Sequence, residues 1–316
     1  MAKILIILFF ATLALGVPVA FTMGIAGMVA ILIDGTLNPL LIPQRMFGGI
    51  DSFPLMAVPF FILASELMTA CGLTTALLRF ANDLVGHIRG GLGHVNVLVS
   101  MLFAGISGSA LADAAGPSAI VMRMMRKAGY EENYAGALSA ATATIGPIIP
   151  PSILMVVYAI SDSRVTVAGL FMAGILPGLL LGMALAAANH FVSVRHGYRG
   201  RMDRASSGEI IRSGFAAGPA ILMPAIILGG ILGGIFTPTE AGAVATAYAL
   251  LIGLARRSLS AVSLYKVLVR SAVTTSSVLL IVAMASLFGW LLTYLQIPQT
   301  LAASIAGLTE DPLAVL

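Results

Sequence analysis

Residues 94–122 contain two short apolar segments on either side of a small polar turn, and this feature most constrains the fold. Each segment has about 10–13 residues, or roughly 15–20 Å as a helix, whereas crossing the hydrocarbon takes about 30 Å. Basic residues flank both ends, so the sequence predicts a re-entrant helical hairpin that returns to the same side. Non-helical backbone at that depth is tolerated only in a polar cavity or inside protein. The predicted ligands at the turn are Gly105, Ser107, Gly108, Ser109 and Asp113.

Composition indicates that the chain lies in a lipid bilayer. Hydrophobic residues make up 59% of the sequence and charged residues only 9%, against about 25% charged residues in an average soluble domain. These proportions predict an all-α polytopic membrane protein, because a transmembrane barrel would alternate over ten-residue segments. The net charge of +4 is assigned to cytoplasmic loops, where Lys and Arg collect, and no nucleic-acid partner is expected.

Hydrophobic runs outside the hairpin define the other predicted membrane segments. They cover residues 4–33, 53–72, 135–160, 166–193, 215–235, 240–255 and 271–296. The basic connections 194–212 and 256–270 are placed in the cytoplasm. The first run is either one kinked helix or two short arms around Gly16-Val17-Pro18. Residues 73–93 predict an amphipathic helix on the inner surface, and residues 34–52 predict an irregular external connection with a short interfacial helix.

A second interrupted helix is predicted at residues 142–153, which read TATIGPIIPPSI. Its three prolines each lack an amide donor and clash with the preceding turn, so the helix must break and restart around Ser152. Freed carbonyls suit sodium, and a helix N-terminus suits a carboxylate. The predicted ligands are Thr144, Gly146, Pro150, Pro151 and Ser152. A broken helix beside a hairpin is expected of a secondary transporter; the alternative is a proline kink satisfied by neighbouring helices.

The candidate ligands each have a structural alternative. Ser107 and Ser109 offer hard oxygen atoms of the kind that sodium prefers, but small residues also serve helix packing. Asp113 either binds a cation directly or caps and orients the hairpin without contacting the ion. The second role is preferred because a bare charge would repel an anionic substrate. Thr144 either contributes to the site or bonds back to a helix carbonyl.

Several motifs resemble a known family. They are Phe103-Ala104-Gly105-Ile106-Ser107-Gly108-Ser109-Ala110 with Ala112-Asp113, Gly146-Pro147-Ile148-Ile149-Pro150-Pro151-Ser152-Ile153, and Gly234-Ile235-Phe236-Thr237-Pro238-Thr239-Glu240-Ala241. In this order, and over essentially the whole chain, the sequence resembles the large membrane subunit of the tripartite ATP-independent periplasmic (TRAP) transporters. Two departures stand out: Gly116-Pro117 replaces the family's usual Ile-Gly after Asp113, and the family's subunit continues beyond the position of Leu316.

The resemblance implies a sodium-coupled importer of organic acids, such as C4-dicarboxylates or sialic acids, in the bacterial inner membrane. A periplasmic binding protein (P) would deliver the substrate, and a small four-helix subunit (Q) would pair with the large one. No cofactor is implied, and sodium is the coupling ion. The resemblance also implies an elevator-type motion. Residues 1–93 would form scaffold helices with the surface helix, residues 94–160 the transport-domain hairpin and broken helix, and residues 161–316 scaffold helices leading into a truncated second repeat.

The expected consequence is that a chain with the first inverted repeat and only part of the second cannot transport by itself. Thr237 and Glu240 are expected to form a structural helix cap around Pro238 rather than a reactive site. Two other functions remain as alternatives. One is an unrelated sodium/carboxylate carrier with similar hairpins, and the other is an intramembrane serine protease in which His190 would activate Ser107.

Overall fold

The structure is a computed structural model that describes residues 1–162, 164–200 and 203–306. Across these ranges the chain is helical and contains no β-strand. Five helical stretches are long and apolar enough to cross a membrane: Phe53–Ala70, Val167–His196, Ser207–Leu232, Pro238–Ala255 and Ala261–Tyr294. The predicted class, an all-α polytopic membrane protein, is therefore confirmed. Part of the predicted 194–212 connection, and the end of the chain at Leu316, lie outside the described residues.

The helices follow one another with short connections. In chain order they are α1 Ala2–Ala14, α2 Val19–Asp34, α3 Leu41–Ile50, α4 Ala57–Ala70, α5 Leu73–Val85, α6 Gly91–Ser107, α7 Ala110–Asp113, α8 Ala119–Lys127, α9 Glu132–Ala143, α10 Ile153–Ser161, α11 Val167–His196, α12 Ser207–Leu232, α13 Pro238–Ala255, α14 Ala261–Tyr294 and α15 Ile297–Ala306. A 3₁₀ turn at Phe53–Met56 precedes α4, and a π-helical segment at Ala114–Ser118 joins α7 to α8.

The chain divides into two compact units, and the first comprises Met1–Ser52 together with the chain from Thr274 onward. Among its described residues, the core is built from Leu5, Ala26, Ala30, Ile31, Leu287 and Leu291. The first hydrophobic run is two helices here, because Gly16 takes a left-handed conformation (φ +79°) between α1 and α2 that a continuous helix cannot contain. The alternative of two short arms is therefore the correct one. A short helix is present in 34–52 as α3, and its position at the membrane interface stays a prediction.

The second unit, Phe53–Val273, contains every candidate ligand. Helix α4 packs along α13, where Thr239 and Thr246 donate hydrogen bonds to the carbonyls of Phe53 and Phe60, each at 2.9 Å. Helix α5 packs against α12 and α6. It buries Leu73, Leu77, Leu78 and Ala81, the spacing of one helix face. The predicted boundaries at residues 93 and 160 concern parts that move against each other, and they remain a prediction.

Two predicted connections are shorter than expected, because hydropathy detects only the apolar part of a helix. Helix α14 begins at Ala261, so most of the predicted 256–270 connection is helical. Helix α12 begins at Ser207 rather than near residue 215, since Ser206 and Glu209 form a capping box there. Polar caps and amphipathic first turns therefore set the true helix starts.

Helix α13 has the cap that its sequence predicts. The hydroxyl of Thr237 accepts a hydrogen bond from the Glu240 N–H at 3.3 Å, and the Glu240 carboxylate accepts one from the Thr237 N–H at 2.8 Å. Pro238 occupies the first turn, where its missing N–H costs nothing. These residues therefore have a structural role.

Candidate functional site

The first arm of the hairpin is α6, which has 17 residues and a length of about 25 Å. It is longer than the predicted 10–13 residues because its helix includes Gly91–Gly93 at one end and continues through Gly105–Ser107 at the other. It ends at Gly108, which is left-handed (φ +59°), a conformation that glycine adopts without steric cost. The second arm runs from α7 through the π-helical segment into α8. The chain thus turns at Gly108 and Ser109 between two helical arms, and their re-entry on one side of the membrane stays a prediction.

The turn of the hairpin places one hydroxyl inside the protein and uses the other as a helix cap. Ser107 is 3% exposed, and its hydroxyl oxygen has no hydrogen-bond partner among the described residues. Ser109 is half-buried and caps α7, where its hydroxyl accepts a hydrogen bond from the Ala112 N–H at 3.3 Å. Because a buried hydroxyl without a partner is costly, Ser107 has capacity for a ligand.

The second interruption lies where the prolines predict it. Helix α9 ends at Ala143, the chain makes turns, and α10 starts at Ile153. Ser152 is the N-cap of α10: its hydroxyl accepts from the Met155 N–H at 3.4 Å and donates to the Pro147 carbonyl at 2.7 Å. The predicted restart around Ser152 is confirmed.

The Thr144 side chain behaves as its structural alternative describes. Its hydroxyl donates to the Ala141 carbonyl at 2.7 Å, and the residue is exposed. A hydroxyl that bonds back to its own helix has one hydrogen already committed. The oxygen of Thr144 can still accept, so its place in the site remains a prediction.

The two interrupted elements touch each other through glycines. A Cβ atom added to Gly146 would lie 3.0 Å from the carbonyl carbon and oxygen of Ser109. A Cβ atom added to Gly108 would overlap the Pro151 carbonyl oxygen and lie 3.1 Å from the Ser152 Cα. Gly108 therefore has no room for a side chain, and a Cβ at Gly146 would fit only if the neighbouring backbone shifted. The hairpin turn and the break, predicted from separate parts of the sequence, therefore lie in contact.

Helix α12 supplies a wall of this site that sequence reasoning missed. A Cβ atom on Gly105 would lie 2.8 Å from the Pro224 Cγ atom. Pro224 lies inside α12, more than a hundred residues further along the chain. A proline inside a helix indicates an irregularity of that helix, but nothing in the sequence indicates which segment Pro224 contacts.

Asp113 lies behind the turn in a polar group within the hairpin. The residue is fully buried. Ser118 donates a hydrogen bond to Oδ2 of Asp113 at 3.3 Å, and the hydroxyls of Ser100 and Ser118 lie 3.2 Å apart. Oδ1 of Asp113 has no hydrogen-bond partner within the described ranges. One turn before Ser100 in α6, the Asn96 amide donates a hydrogen bond to Ser139 at 3.0 Å.

Ser100 and Ser118 are not among the ligands that the sequence predicts. A signal for the first of them was present: Asn96, Ser100 and Ser107 recur at spacings of four and seven within an otherwise apolar helix, which places them on one face. The signal for Ser118 was weaker, because the geometry around Gly116-Pro117 could not be predicted.

The site lacks the constellation that a serine protease needs. The Ser107 hydroxyl has no histidine partner in the part of the chain that the structure describes. The ring of His190 instead neighbours that of His94, with 6.0 Å between ring centroids. The described residues also contain no group of three or more His, Cys, Asp or Glu side chains suited to a metal ion. What the site offers is hydroxyl and carbonyl oxygens beside a helix N-terminus.

An all-helical chain with membrane-length helices and two interrupted segments in contact has the features of a polytopic secondary transporter. The family profile described as "Tripartite ATP-independent periplasmic transporter, DctM component" matches residues 6–316. The chain belongs to this family of TRAP transporter large permeases.

Individual relatives agree with this assignment. The chain is 40% identical to the "Sialic acid TRAP transporter large permease protein SiaM" of Vibrio cholerae, over 95% of this chain and 70% of the relative. It is 38% identical to the "C4-dicarboxylate TRAP transporter large permease protein DctM" of Pseudomonas aeruginosa, over 92% and 68%. It is 39% identical to the "Isethionate TRAP transporter permease protein DctMQ" of Oleidesulfovibrio alaskensis, over 96% and 48%. These relatives are transporters, so the chain is not an enzyme.

Proposed function

We propose that this chain is the large permease subunit of a sodium-coupled, binding-protein-dependent importer of organic acids. The observation that carries the proposal is the contact between the hairpin turn and the broken helix at Gly108, Gly146 and Pro151. Interrupted helices expose main-chain groups that a continuous helix would satisfy. Two of them in contact create one polar site from both.

Sodium binding at this site is supported by the oxygens present. The Ser107 hydroxyl is buried without a partner, and Pro150 lacks the N–H that would bond the Gly146 carbonyl in a helix. Hydroxyl and carbonyl oxygens are the ligands preferred by hard cations. We infer that Ser107 and Ser109, with carbonyls of residues 146–151, hold a sodium ion.

An anionic substrate is supported by the start of α10. Its first N–H groups follow Ser152 and carry the partial positive charge of a helix N-terminus. Three relatives are named for sialic acid, a C4-dicarboxylate and isethionate, all of them organic anions. We infer that a carboxylate or sulfonate binds beside the sodium ion, which would offset the substrate's charge.

The expected surroundings follow from the family. The hairpin enters and leaves on the cytoplasmic side of the bacterial inner membrane, in line with Arg126 and Lys127 at the end of α8. Elevator-type movement would carry the hairpin and broken helix across the membrane. A periplasmic binding protein and a small membrane subunit would complete the importer. One relative carries the name DctMQ in a longer chain, which supports pairing with such a subunit.

Reconstitution tests the proposal. A permease of its relatives' full length that contains this sequence would be placed in proteoliposomes with the binding protein and small membrane subunit encoded beside it, and uptake of radiolabelled sialic acid, succinate and isethionate would be measured. We expect uptake of one class of anion only with an inward sodium gradient and with the binding protein present. Uptake that persists in choline, or without the binding protein, would refute the mechanism and favour an unrelated carboxylate carrier.

Sodium binding can be measured on the chain alone, so the site can be tested apart from transport. Equilibrium binding of ²²Na⁺ to the chain in lipid nanodiscs should weaken in the double variant Ser107→Ala/Ser109→Ala by about tenfold or more, since one lost ligand contributes ~1.5 kcal/mol or more. The control is Ser161→Ala/Ser207→Ala, which changes two exposed serines outside the site. Equal sodium affinity in both double variants would remove the role of the turn.

A further inference from the structure

Two histidines lie side by side where the first arm of the hairpin meets α11, and nothing in the proposed transport site uses either of them. His94 lies in the first turn of α6, and His190 lies in the last third of α11. Their ring centroids are 6.0 Å apart, with an angle of 46° between the ring planes. Because imidazole nitrogen is the commonest protein ligand of transition metals, the pair is a candidate metal site.

The separation of the rings suits two ligands of one metal ion. A metal–nitrogen distance of about 2.0–2.1 Å puts the centre of a coordinating imidazole ring about 3.2 Å from the ion. Two such ring centres lie about 5.2 Å apart at a tetrahedral angle and about 6 Å apart when the angle at the metal opens to roughly 140°. The observed separation therefore needs only side-chain rotation, and no movement of the helices, to bring one nitrogen of each ring onto a shared ion.

The ring of His94 is held in the form that binds a metal. It donates a hydrogen bond to the carbonyl of Arg89, while its Nε2 atom is buried and has no hydrogen-bond partner among the described residues. The donor is therefore Nδ1, and the lone pair of Nε2 is free. A ring with one nitrogen bonded to a backbone carbonyl and the other on the ion is the usual arrangement of metal-binding histidines.

The residues next to the two histidines fix the backbones that carry them. Asn189, which precedes His190, donates from its side-chain amide to the carbonyl of Gly90 at 3.1 Å. A Cβ atom added to Gly93, which precedes His94, would overlap the Oδ1 atom of Asn189. Helices α6 and α11 therefore touch directly beside the ring pair. Ligands carried on two packed helices are positioned more precisely than ligands on loops.

An ion can reach this position from water. His190 is exposed, and α11 ends two turns later at His196 with Arg195 in its last turn. This basic end is the one that the charge distribution places in the cytoplasm. Since the described residues contain no group of three or more His, Cys, Asp or Glu side chains, water would supply the remaining ligands. Imidazole suits zinc, copper and nickel, whereas magnesium and calcium prefer oxygen.

We propose that His94 and His190 together bind one divalent ion of the zinc, nickel and copper class, with water completing its coordination. The ion ties the first arm of the hairpin to α11 at its predicted cytoplasmic end. The site uses no residue of the hairpin turn or of the proline-rich break, and it does not depend on sodium coupling or on the substrate.

Zinc affinity tests the pair. It would be measured by competition with a chromogenic zinc indicator, on a permease of its relatives' full length that contains this sequence and carries no histidine tag. We expect a site that weakens by about tenfold or more in His94→Gln and equally in His190→Gln, since each variant removes one of two protein ligands. The matched control is His196→Gln, an exposed histidine of the same helix, which should keep the site.

A second measurement counts the imidazoles on the ion without any variant. With Cu²⁺ as the probe at one equivalent, electron spin-echo envelope modulation should detect two coordinated imidazoles in the unmodified protein. Zinc should also raise the unfolding temperature of the unmodified protein and of His196→Gln, because an ion that binds only the folded state stabilises it. It should not raise that of His190→Gln.

Each result decides for or against the bridge. Two imidazoles on copper, with zinc affinity weakened in both His94→Gln and His190→Gln and kept in His196→Gln, would support it. A loss confined to His190→Gln would show a surface histidine binding by itself and would overturn the bridge. A single imidazole on copper would overturn it as well, even if His94→Gln did not fold. Equal zinc affinity in all variants would also overturn it.

Discussion

Replacing Gly108 by alanine tests the contact between the hairpin turn and the broken helix most directly. Gly108 ends α6 in the left-handed region (φ +59°), and its added Cβ would overlap the Pro151 carbonyl. The chain offers a close control in Gly197, which ends α11 in the same way (φ +71°) but has nothing within 4 Å of an added Cβ. The two substitutions therefore share the backbone strain and differ in the contact.

The expected magnitudes follow from these geometries. A left-handed alanine costs about 1–2 kcal/mol in either variant. Overpacking against backbone adds about 1–3 kcal/mol at Gly108, because the neighbouring Pro151 carbonyl belongs to the main chain and cannot rotate away. We expect Gly108→Ala to lower the free energy of unfolding by that extra amount relative to Gly197→Ala.

The single cysteine provides the assay. Cys71 is the only cysteine in the sequence, and it is buried, so a thiol-reactive fluorophore labels it when the surrounding helices open. Where labelling follows the opening equilibrium, Gly108→Ala should label about 5–150-fold faster than Gly197→Ala in mild denaturant. Sodium should slow labelling of Gly197→Ala but not of Gly108→Ala, whose turn is displaced from the break. Equal labelling of the two variants, with equal sodium protection, would refute the contact.

Three further predictions concern stability and use the same labelling assay or thermal unfolding. Thr237→Ala should lower the free energy of unfolding by about 1 kcal/mol, while Thr237→Ser should retain it; no difference between them would refute the cap. Asn189→Ala should cost about 1–3 kcal/mol, because it leaves buried partners unpaired, whereas exposed Asn133 should tolerate alanine. The guanidinium of Arg164 lowers the pKa of Asp162 below its usual value. The ion pair therefore stabilises the folded chain at pH values above the ordinary aspartate pKa, and this stabilisation is lost as the pH falls through the lowered pKa. Asp162→Asn should remove this dependence of the unfolding temperature on acid pH.

The helices and their interruptions could be predicted because their causes are local. The break before Ser152 follows from prolines that cannot donate, and the start of α13 follows from a capping box within four residues. For the first run the sequence left one kinked helix and two arms open, and the left-handed φ of Gly16 in the structure decides for two arms. By contrast, hydropathy could not locate the start of α14, because its first turns carry polar side chains that the apolar run excludes.

The neighbours of the site could not be predicted, because they are brought together only by packing. Pro224 meets Gly105 from a helix distant in sequence. Ser100 meets Ser118 only because the second arm contains a π-helical segment, and a regular helix would turn Ser118 to another direction. Periodicity gives the faces of single helices, but the pairing of those faces depends on tertiary contacts.

The glycine contacts also limit how this region can rearrange. Gly108 and Gly146 leave less than the width of a methyl group between the hairpin turn and the proline-rich break. Because the Pro151 carbonyl that Gly108 approaches belongs to the main chain, a movement of one element toward the other would press backbone against backbone. If the proposed ion lies between them, main chain would shield it on both sides, and its release would require the two elements to separate.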